Sequence, residues 1–351
     1  MPFAMHRSRI VRVALALSML LALAACATDD AATARVIVPT GASVRVAADS
    51  LARAGVVRAP RLFRMYAWLR GGDRRIRAGT YEFRRGDSWS TVLGMLRAGR
   101  GLVATVTIPE GFALSQIEPL LAERLNVPLD SVQAAAADTA LLARLDLPTP
   151  TVEGYLFPDT YFFPEGTTAR QAVTAMERRF EHEWKPAWTA RLDSIGMSRN
   201  DVMTLASIVE KEAKLPEERP VIAAVYMNRL KAGMLLQADP TVQYALRAHE
   251  SRVLYKDLKV KSPYNTYRHL GLPPGPIASP GAASIEAALY PANVPFRYFV
   301  AAPDGHHEFR VDYKGHEAAV RQMRRERAEQ ARKTRAAHDS GSARAPGRTP
   351  R

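Results

Sequence analysis

The chain's 351 residues correspond to about two domains, enough to bury cores of ordinary size without disulfide staples. With 47% hydrophobic residues, 24% charged residues and one cysteine, the composition excludes a disordered chain, a collagen-like repeat, a polytopic membrane protein and a disulfide scaffold. Lys and Arg outnumber Asp and Glu by 49 to 35, and the formal charge of +14 favours anionic partners such as nucleic acid, a membrane surface or acidic wall polymers.

Residues 1–30 read as an export signal or anchor. His6, Arg7, Arg9 and Arg12 precede an apolar run from Val13 to Ala25, and Cys26, Ala27, Thr28, Asp29 and Asp30 follow it. Those thirteen apolar residues make about 20 Å of helix, short of the roughly 30 Å hydrocarbon core. Leu23, Ala24, Ala25 and Cys26 resemble the lipobox of bacterial lipoproteins, which makes Cys26 a candidate for lipidation. Alternatively Ile10 and Val11 enter the bilayer, Arg12 snorkels, and the segment is an uncleaved single-pass anchor. Either reading puts the body outside the cytoplasm.

Residues 35–102 read as a small α and β unit. Arg35 to Val38 alternates as a strand, and Ala42 to Ala54 has helical spacing with Val44, Val46, Ala47, Leu51 and Ala54 on one side. A second helix covers Leu62 to Leu69, a strand Gly79 to Phe83, and a helix Ser90 to Leu96 closed by Gly99. The order of these elements, with "VPTGAS" before the first helix and "RAGTYEF" before the last, resembles the LysM-like N-terminal domain of YceG-type proteins. Glycan binding and a plain spacer role both remain open for it.

The second domain, residues 103–325, starts with a strand from Val103 to Ile108. Ser115 is expected to cap a helix that turns Ile117, Leu120, Leu121 and Leu125 inward, and Asp138 to Leu147 reads as another short helix. In "EGYLFPDTYFFPEG", Pro158 and Pro164 interrupt any helix while Tyr155, Phe157, Tyr161, Phe162 and Phe163 crowd an extended segment. That pattern suits buried sheet, and equally a sugar-binding cleft to which Glu153 and Tyr155 contribute. Residues 326–351 form a basic tail read as a short helix fraying into disorder. Ten Lys or Arg against three Asp or Glu lie between Arg321 and Arg351, so about half of the excess charge is expected there and a mildly basic body elsewhere.

The chemistry gathers after Asp201, which is expected to cap the helix in "VMTLASIVEKEAK". Val202, Leu205, Ala206, Val209 and Ala213 form its apolar stripe, and Glu210 and Glu212 fall on opposite flanks. Two positions along a helix turn the side chain by roughly 160°, if each residue adds about 100°, so these carboxyls cannot act as a close pair. Glu210 with Lys214 has the spacing of an ordinary surface ion pair. Downstream, Asn228, Gln237, Asp239, Thr241, Tyr244, Asn265 and Tyr267 supply neutral donors and acceptors that suit a polyhydroxyl substrate better than a phosphate or a metal.

The runs "LASIVEKE", "VYMNRL", "GMLLQADPTVQYA", "SPYNTY", "GLPPGPIASPG" and "YFVA" together resemble the YceG-like family of endolytic murein transglycosylases, over roughly Arg35 to Arg325. The resemblance implies a bacterial envelope enzyme that cleaves nascent peptidoglycan strands internally and ends their polymerisation, with glycan polymerases as further partners. It also implies that the first Glu of "VEKE", Glu210, is catalytic, and an inner-membrane anchor with the catalytic domain in the periplasm. The departure is the short N-terminal segment with its lipobox-like Cys26.

Cleaving the bond between N-acetylmuramic acid and N-acetylglucosamine needs a proton on the leaving oxygen. Glu210, beside Ala206, Val209 and Ala213 and under a sugar that excludes water, is expected to keep that proton and later to accept one from the muramic 6-hydroxyl. No water is consumed, so no second carboxyl is needed, and Glu212 is expected to matter less. Glu153, Tyr155, Asn228, Gln237, Asp239, Tyr244, Asn265 and Tyr267 are the expected substrate contacts, with Glu153 or Asp239 the second acid if the reaction is instead hydrolytic. A non-enzymatic wall-binding lipoprotein is the remaining alternative. His306, His307 and Glu308 lack metal-ligand spacing, no nucleotide fingerprint occurs, and neither metal, cofactor nor nucleic acid is expected. The expected fold is α+β, a small LysM-like unit and a larger mixed catalytic domain.

Overall fold

The computed structural model describes residues 33–39, 42–71, 76–99, 101–247, 253–302 and 304–342. Cys26 and the candidate signal or anchor of residues 1–30 lie outside them. Among the described residues no helix is long and apolar enough to cross a membrane. The fold is α+β, as expected, in two compact units: residues through Val106 with Phe162–Thr167, and Thr107–Tyr161 with Thr168 onward.

In the small unit, β1 (Thr33–Val38) alternates strictly, with Ala34, Val36 and Val38 buried and the residues between them exposed. It pairs antiparallel with β2 (Gly79–Arg84) from Thr33 opposite Arg84 to Val38 opposite Gly79. β3 (Leu102–Thr107) and β4 (Thr160–Pro164) complete a sheet of order β1-β2-β3-β4. Three helices join the core: α1 (Val44–Arg53), α2 (Pro60–Leu69) and α3 (Trp89–Ala98). Each starts where the sequence provides for it. Ser43 and Ser88 accept from the backbone N–H of Val46 and Thr91, and Pro60, which has no N–H to lose, opens α2. Gly99 ends α3 at φ +69°, a left-handed turn that glycine adopts without strain. Leu51, Phe63, Tyr81, Phe83 and Leu96 fill the centre, and Tyr81 stacks on Phe83 at 5.7 Å. Val46, expected on the inward stripe of α1, is 39% exposed.

The larger unit is mainly helical. It contains α4 (Leu114–Leu125), α5 (Leu129–Ala136), α6 (Thr139–Arg144), α7 (Ala169–Glu183), α8 (Pro186–Ile195), α9 (Arg199–Glu212), α10 (Arg219–Lys231), α11 (Asp239–Leu246), α12 (Ala282–Leu289) and α13 (Tyr313–Ser342). A hairpin of β5 (Tyr298–Ala301) and β6 (His307–Arg310) packs against α13. That last helix carries residues 326–342 of the expected basic tail, and the remainder lies outside the described residues.

Two expected caps move. Ser115 does not start α4; the Leu114 N–H is bound instead by the Glu153 carboxyl, at 3.0 and 3.1 Å, an acid 39 residues away that no local pattern reveals. On α9 the cap is Ser198, and Asp201 is its reciprocal partner, each side chain accepting from the other's backbone N–H at 3.0 Å.

α9 is the central helix, packed on α10 and α12. Every residue from Val202 to Val209 is buried, so the expected stripe is in fact a whole circumference. The two hydroxyls inside it are satisfied: Thr204 donates to Asn200 O at 2.6 Å, and Ser207 donates to Thr204 O at 2.7 Å while accepting from Ile277 N at 3.0 Å. Such a position leaves little room for collapse around a void. Leu205→Ala is therefore expected to cost about 2–5 kcal/mol of unfolding free energy by urea titration. A loss below about 1 kcal/mol would mean that α9 is not the packed centre described.

Candidate active site

The buried body of α9 delivers two carboxyls at its C-terminal turn, and they go to different surroundings. Glu210 Oε2 accepts from Gly281 N at 3.1 Å and from Ser284 Oγ at 2.7 Å, and Oε1 lies 3.6 Å from the Arg219 guanidinium. Arg219 Nε also donates to Ser284 Oγ at 3.1 Å. The Glu210 side chain is 7% exposed, so the dry setting expected for it is present, but with a cation and two donors inside it. Its ion-pair partner is Arg219 rather than Lys214.

Glu110 joins the same cluster. Its carboxylate is 3.9 Å from Arg219, and burial, then repulsion by Glu210, pushes its pKa up against the opposing pull of that guanidinium. A Cβ on Gly281 would fall 1.9 Å from Glu110 Oε1, so a side chain there would displace the Glu110 carboxyl. Gly111 and Phe112 exchange backbone hydrogen bonds with Ser279, both at 2.8 Å, and Lys211 Nζ donates to Gly111 O at 3.2 Å. Glu210 thus ties α9 to the loop before α12 and to α10.

Glu212 meets no cation at contact distance. Its Oε1 accepts from the Tyr226 hydroxyl at 2.8 Å, and its pKa is pushed up to about 7. Burial is the largest cause; the charge of Asp239 raises it further, while the Tyr226 hydrogen bond and the more distant Arg229 oppose the rise. Asp239, exposed at the start of α11, accepts from the Tyr267 hydroxyl at 2.5 Å. Arg229 is drawn away by carbonyls, donating to Arg297 O at 2.7 Å and Leu236 O at 2.6 Å. A cavity of about 660 Å³ borders Asp239 and is walled by Val253, Val300, Val320, Met323, Arg324 and Arg327.

Of the expected substrate contacts, Asp239 and Tyr267 stand together beside Glu212. Asn265 supports them from below: its side chain donates to Leu258 O and Val260 O at 3.0 and 2.9 Å, and its Oδ1 receives the Tyr267 N–H at 3.0 Å. Gln237 is exposed near Asp239 with φ +49°, a conformation uncommon outside glycine. Asn228 spends both its N–H donors on Val294 O and Phe296 O, at 2.8 and 2.9 Å. Glu153 and Tyr244 form a separate buried pair, with the Glu153 pKa raised by burial to about 8 and eased by Leu114 N–H and the Tyr244 hydroxyl. Tyr155 lies in the core, its ring edge-on to Phe180 at 5.1 Å and its hydroxyl 3.4 Å from Asn200 Oδ1.

Glu110, Arg219, Tyr226, Arg229 and Ser284 escaped the sequence reading, though Tyr226 and Arg229 stand inside the quoted "VYMNRL". Among the described residues no three His, Cys, Asp or Glu are grouped to hold a metal.

The Glu212 shift has a consequence for stability. An acid with a folded pKa near 7, against the ordinary glutamate value of 4.5, binds its proton more tightly when folded, so it stabilises the fold fully below about pH 4.5 and loses this contribution as pH rises through 7. Glu212→Gln removes the titration. Its stability by denaturant unfolding is expected to gain on the wild type between pH 5 and 8, in steps of that range; a constant difference would show that Glu212 titrates as a solvated acid.

The matching family model is that of the YceG-like family, over residues 36–322. An endolytic murein transglycosylase of Bacillus subtilis is 33% identical over 306 residues, spanning 83% of this chain and 85% of that protein. One from Streptococcus pneumoniae D39 is 29% identical over 295 residues, which is 75% of this chain and 53% of that protein. The crystal structure of a YceG-like protein from Listeria monocytogenes matches with a TM-score of 0.60 and 32% identity, over 82% of this chain and 98% of that one. The central helix with its two glutamates and the segments that enclose them all fall within the matched residues, and the chain belongs to the YceG-like family.

Proposed function

We propose that the chain is a peptidoglycan lytic transglycosylase of the cell envelope, which cuts nascent glycan strands internally at the bond between N-acetylmuramic acid and N-acetylglucosamine and so ends their polymerisation. The names of the relatives support the reaction class. The observation in this chain that carries the reading is geometric: a helix buried from Val202 to Val209 ends in two carboxyls, Glu210 beside Ser284 and Arg219 and Glu212 on the Tyr226 hydroxyl at 2.8 Å.

On this reading Glu212, rather than Glu210, is the acid. Glu210 has two donors on Oε2 and a guanidinium 3.6 Å from Oε1, contacts that hold its side chain in place. Glu212 has a hydroxyl and a nearby carboxylate, which leave it able to hold and release a proton near neutral pH. Glu212 passes that proton to the glycosidic oxygen as the bond to the anomeric carbon of muramic acid breaks, and the N-acetylglucosamine end leaves as an alcohol. The Asp239 carboxylate offers countercharge to the oxocarbenium-like sugar. The muramic 6-hydroxyl then closes on the anomeric carbon and returns its proton to Glu212, giving a 1,6-anhydro end without water. The small unit is read as LysM-like and glycan-binding; its order of strand, two helices and strand supports this.

A hydrolytic muramidase is the second reading, favoured by the exposed carboxylate of Asp239, held by the Tyr267 hydroxyl at 2.5 Å, as a second acid to hold a water. Mass spectrometry of muropeptides separates the two: anhydro-muramic ends are expected, and reducing ends alone would refute the intramolecular closure. Glu212→Gln is expected to lower turnover by about 10²–10⁴-fold with the fold retained. Glu210→Gln should lower thermal stability first, and turnover with it. A Glu210→Gln protein as stable as the wild type but inactive, beside an active Glu212→Gln protein, would return the role of acid to Glu210.

A further inference from the structure

We propose that the exposed face of α2 in the small unit docks on a phospholipid bilayer bearing anionic headgroups. This goes beyond the reaction proposed above and does not depend on it.

α2 is anchored to its own unit by Phe63 and Ala67, both fully buried. On the opposite face Leu62, Met65, Trp68 and Leu69 are 53%, 56%, 66% and 68% exposed. Four large apolar side chains on one face of a ten-residue helix make a patch of the kind that marks an interaction site, and the tryptophan suits the headgroup level of a bilayer. Arg61 and Arg64 border the patch. An apolar face edged by arginine is the pattern of a helix that lies in a membrane interface.

Charge identifies the partner. Residues 33–106 hold fourteen Arg, no Lys and four Asp or Glu, whereas residues 107–320 hold twenty-two Lys or Arg against twenty-six Asp or Glu. The expectation of a mildly basic body averages over this contrast: the small unit is strongly basic and the larger one slightly acidic up to its last helix. Every ion pair among the described residues lies in the larger unit, so the described arginines of the small one have no carboxylate within 4 Å there. Such a surface binds anionic lipid through both its charge and its apolar face, whereas an acidic wall polymer uses the charge and leaves most of the apolar patch exposed.

A ten-residue helix binds a bilayer weakly by itself, and the sequence supplies the remedy. Seven residues separate Ala25, at the end of the apolar run, from Thr33 at the start of β1. They span at most roughly 25 Å when fully extended. If the run stays in the bilayer, or a lipid on Cys26 replaces it, the small unit is held within that distance and its effective concentration at the surface is high.

The test uses the full chain in nanodiscs of phosphatidylcholine alone or of phosphatidylcholine mixed with phosphatidylglycerol, with amide hydrogen exchange as readout. In the mixed lipid, exchange across residues 58–70 is expected to slow about tenfold relative to phosphatidylcholine alone, with α9 unchanged. Replacing Trp68→Gln with Leu69→Gln, or Arg61→Gln with Arg64→Gln, should abolish the slowing. Arg61, Trp68 and Leu69 are exposed and Arg64 is half-buried, and unchanged exchange in β1 and β2 reports that the unit still folds. Equal exchange in both lipids, slowing that survives either pair of substitutions, or slowing that appears only with added glycan strands would each overturn the proposal.

Discussion

The chemistry of this molecule depends on two carboxyls leaving one rigid helix in different directions. Glu210 and Glu212 are two residues apart, and helical geometry alone sends them to different sides. Because Val202 to Val209 are buried on every face, α9 cannot roll to exchange them. Their neighbours then settle what each can do. A guanidinium, a hydroxyl and a backbone N–H make Glu210 a tie between segments. Glu212 instead meets the Tyr226 hydroxyl, and burial first of all pushes its pKa up to about 7.

Much of the surrounding polarity serves geometry. Asn228 closes the chain after α12 against α10 through two carbonyls, and Asn265 turns its amide inward so that its oxygen can fix the Tyr267 backbone. Both are amides in polar runs, and an amide fits a sugar's acetamido group as well as it fits a peptide carbonyl. The site's rigidity comes from these internal bonds. Tyr267 is held through its backbone by Asn265 and donates its hydroxyl to Asp239, so that carboxylate is itself positioned.

Local signals made much of the fold legible. The alternation in β1, the serines before α1 and α3, and Gly99 after α3 each act within a few residues, and the elements of the small unit lie within about two residues of where these signals put them. The misses share a cause. Leu114 is capped by Glu153, Glu210 is held by Ser284, and Ser207 binds Ile277, all partners distant in sequence. The helical wheel sends the two glutamates to different sides, and their partners, Arg219 for Glu210 and Tyr226 for Glu212, come from segments that no local pattern reveals.

Charge repeats this lesson on a larger scale. The total of +14 suggested a body of little net charge with a basic tail, yet the sign changes between residues 33–106 and 107–320. At physiological salt, interactions between exposed charges are screened beyond about 8 Å, so a net charge summed over the whole chain has no physical site of action; only local density has. Arginines that lack acidic partners within the fold keep their full attraction for an outside anion, and the small unit has such arginines beside exposed Trp68 and Leu69. The density of positive charge and the buried carboxyls of α9 therefore lie in different units of the chain.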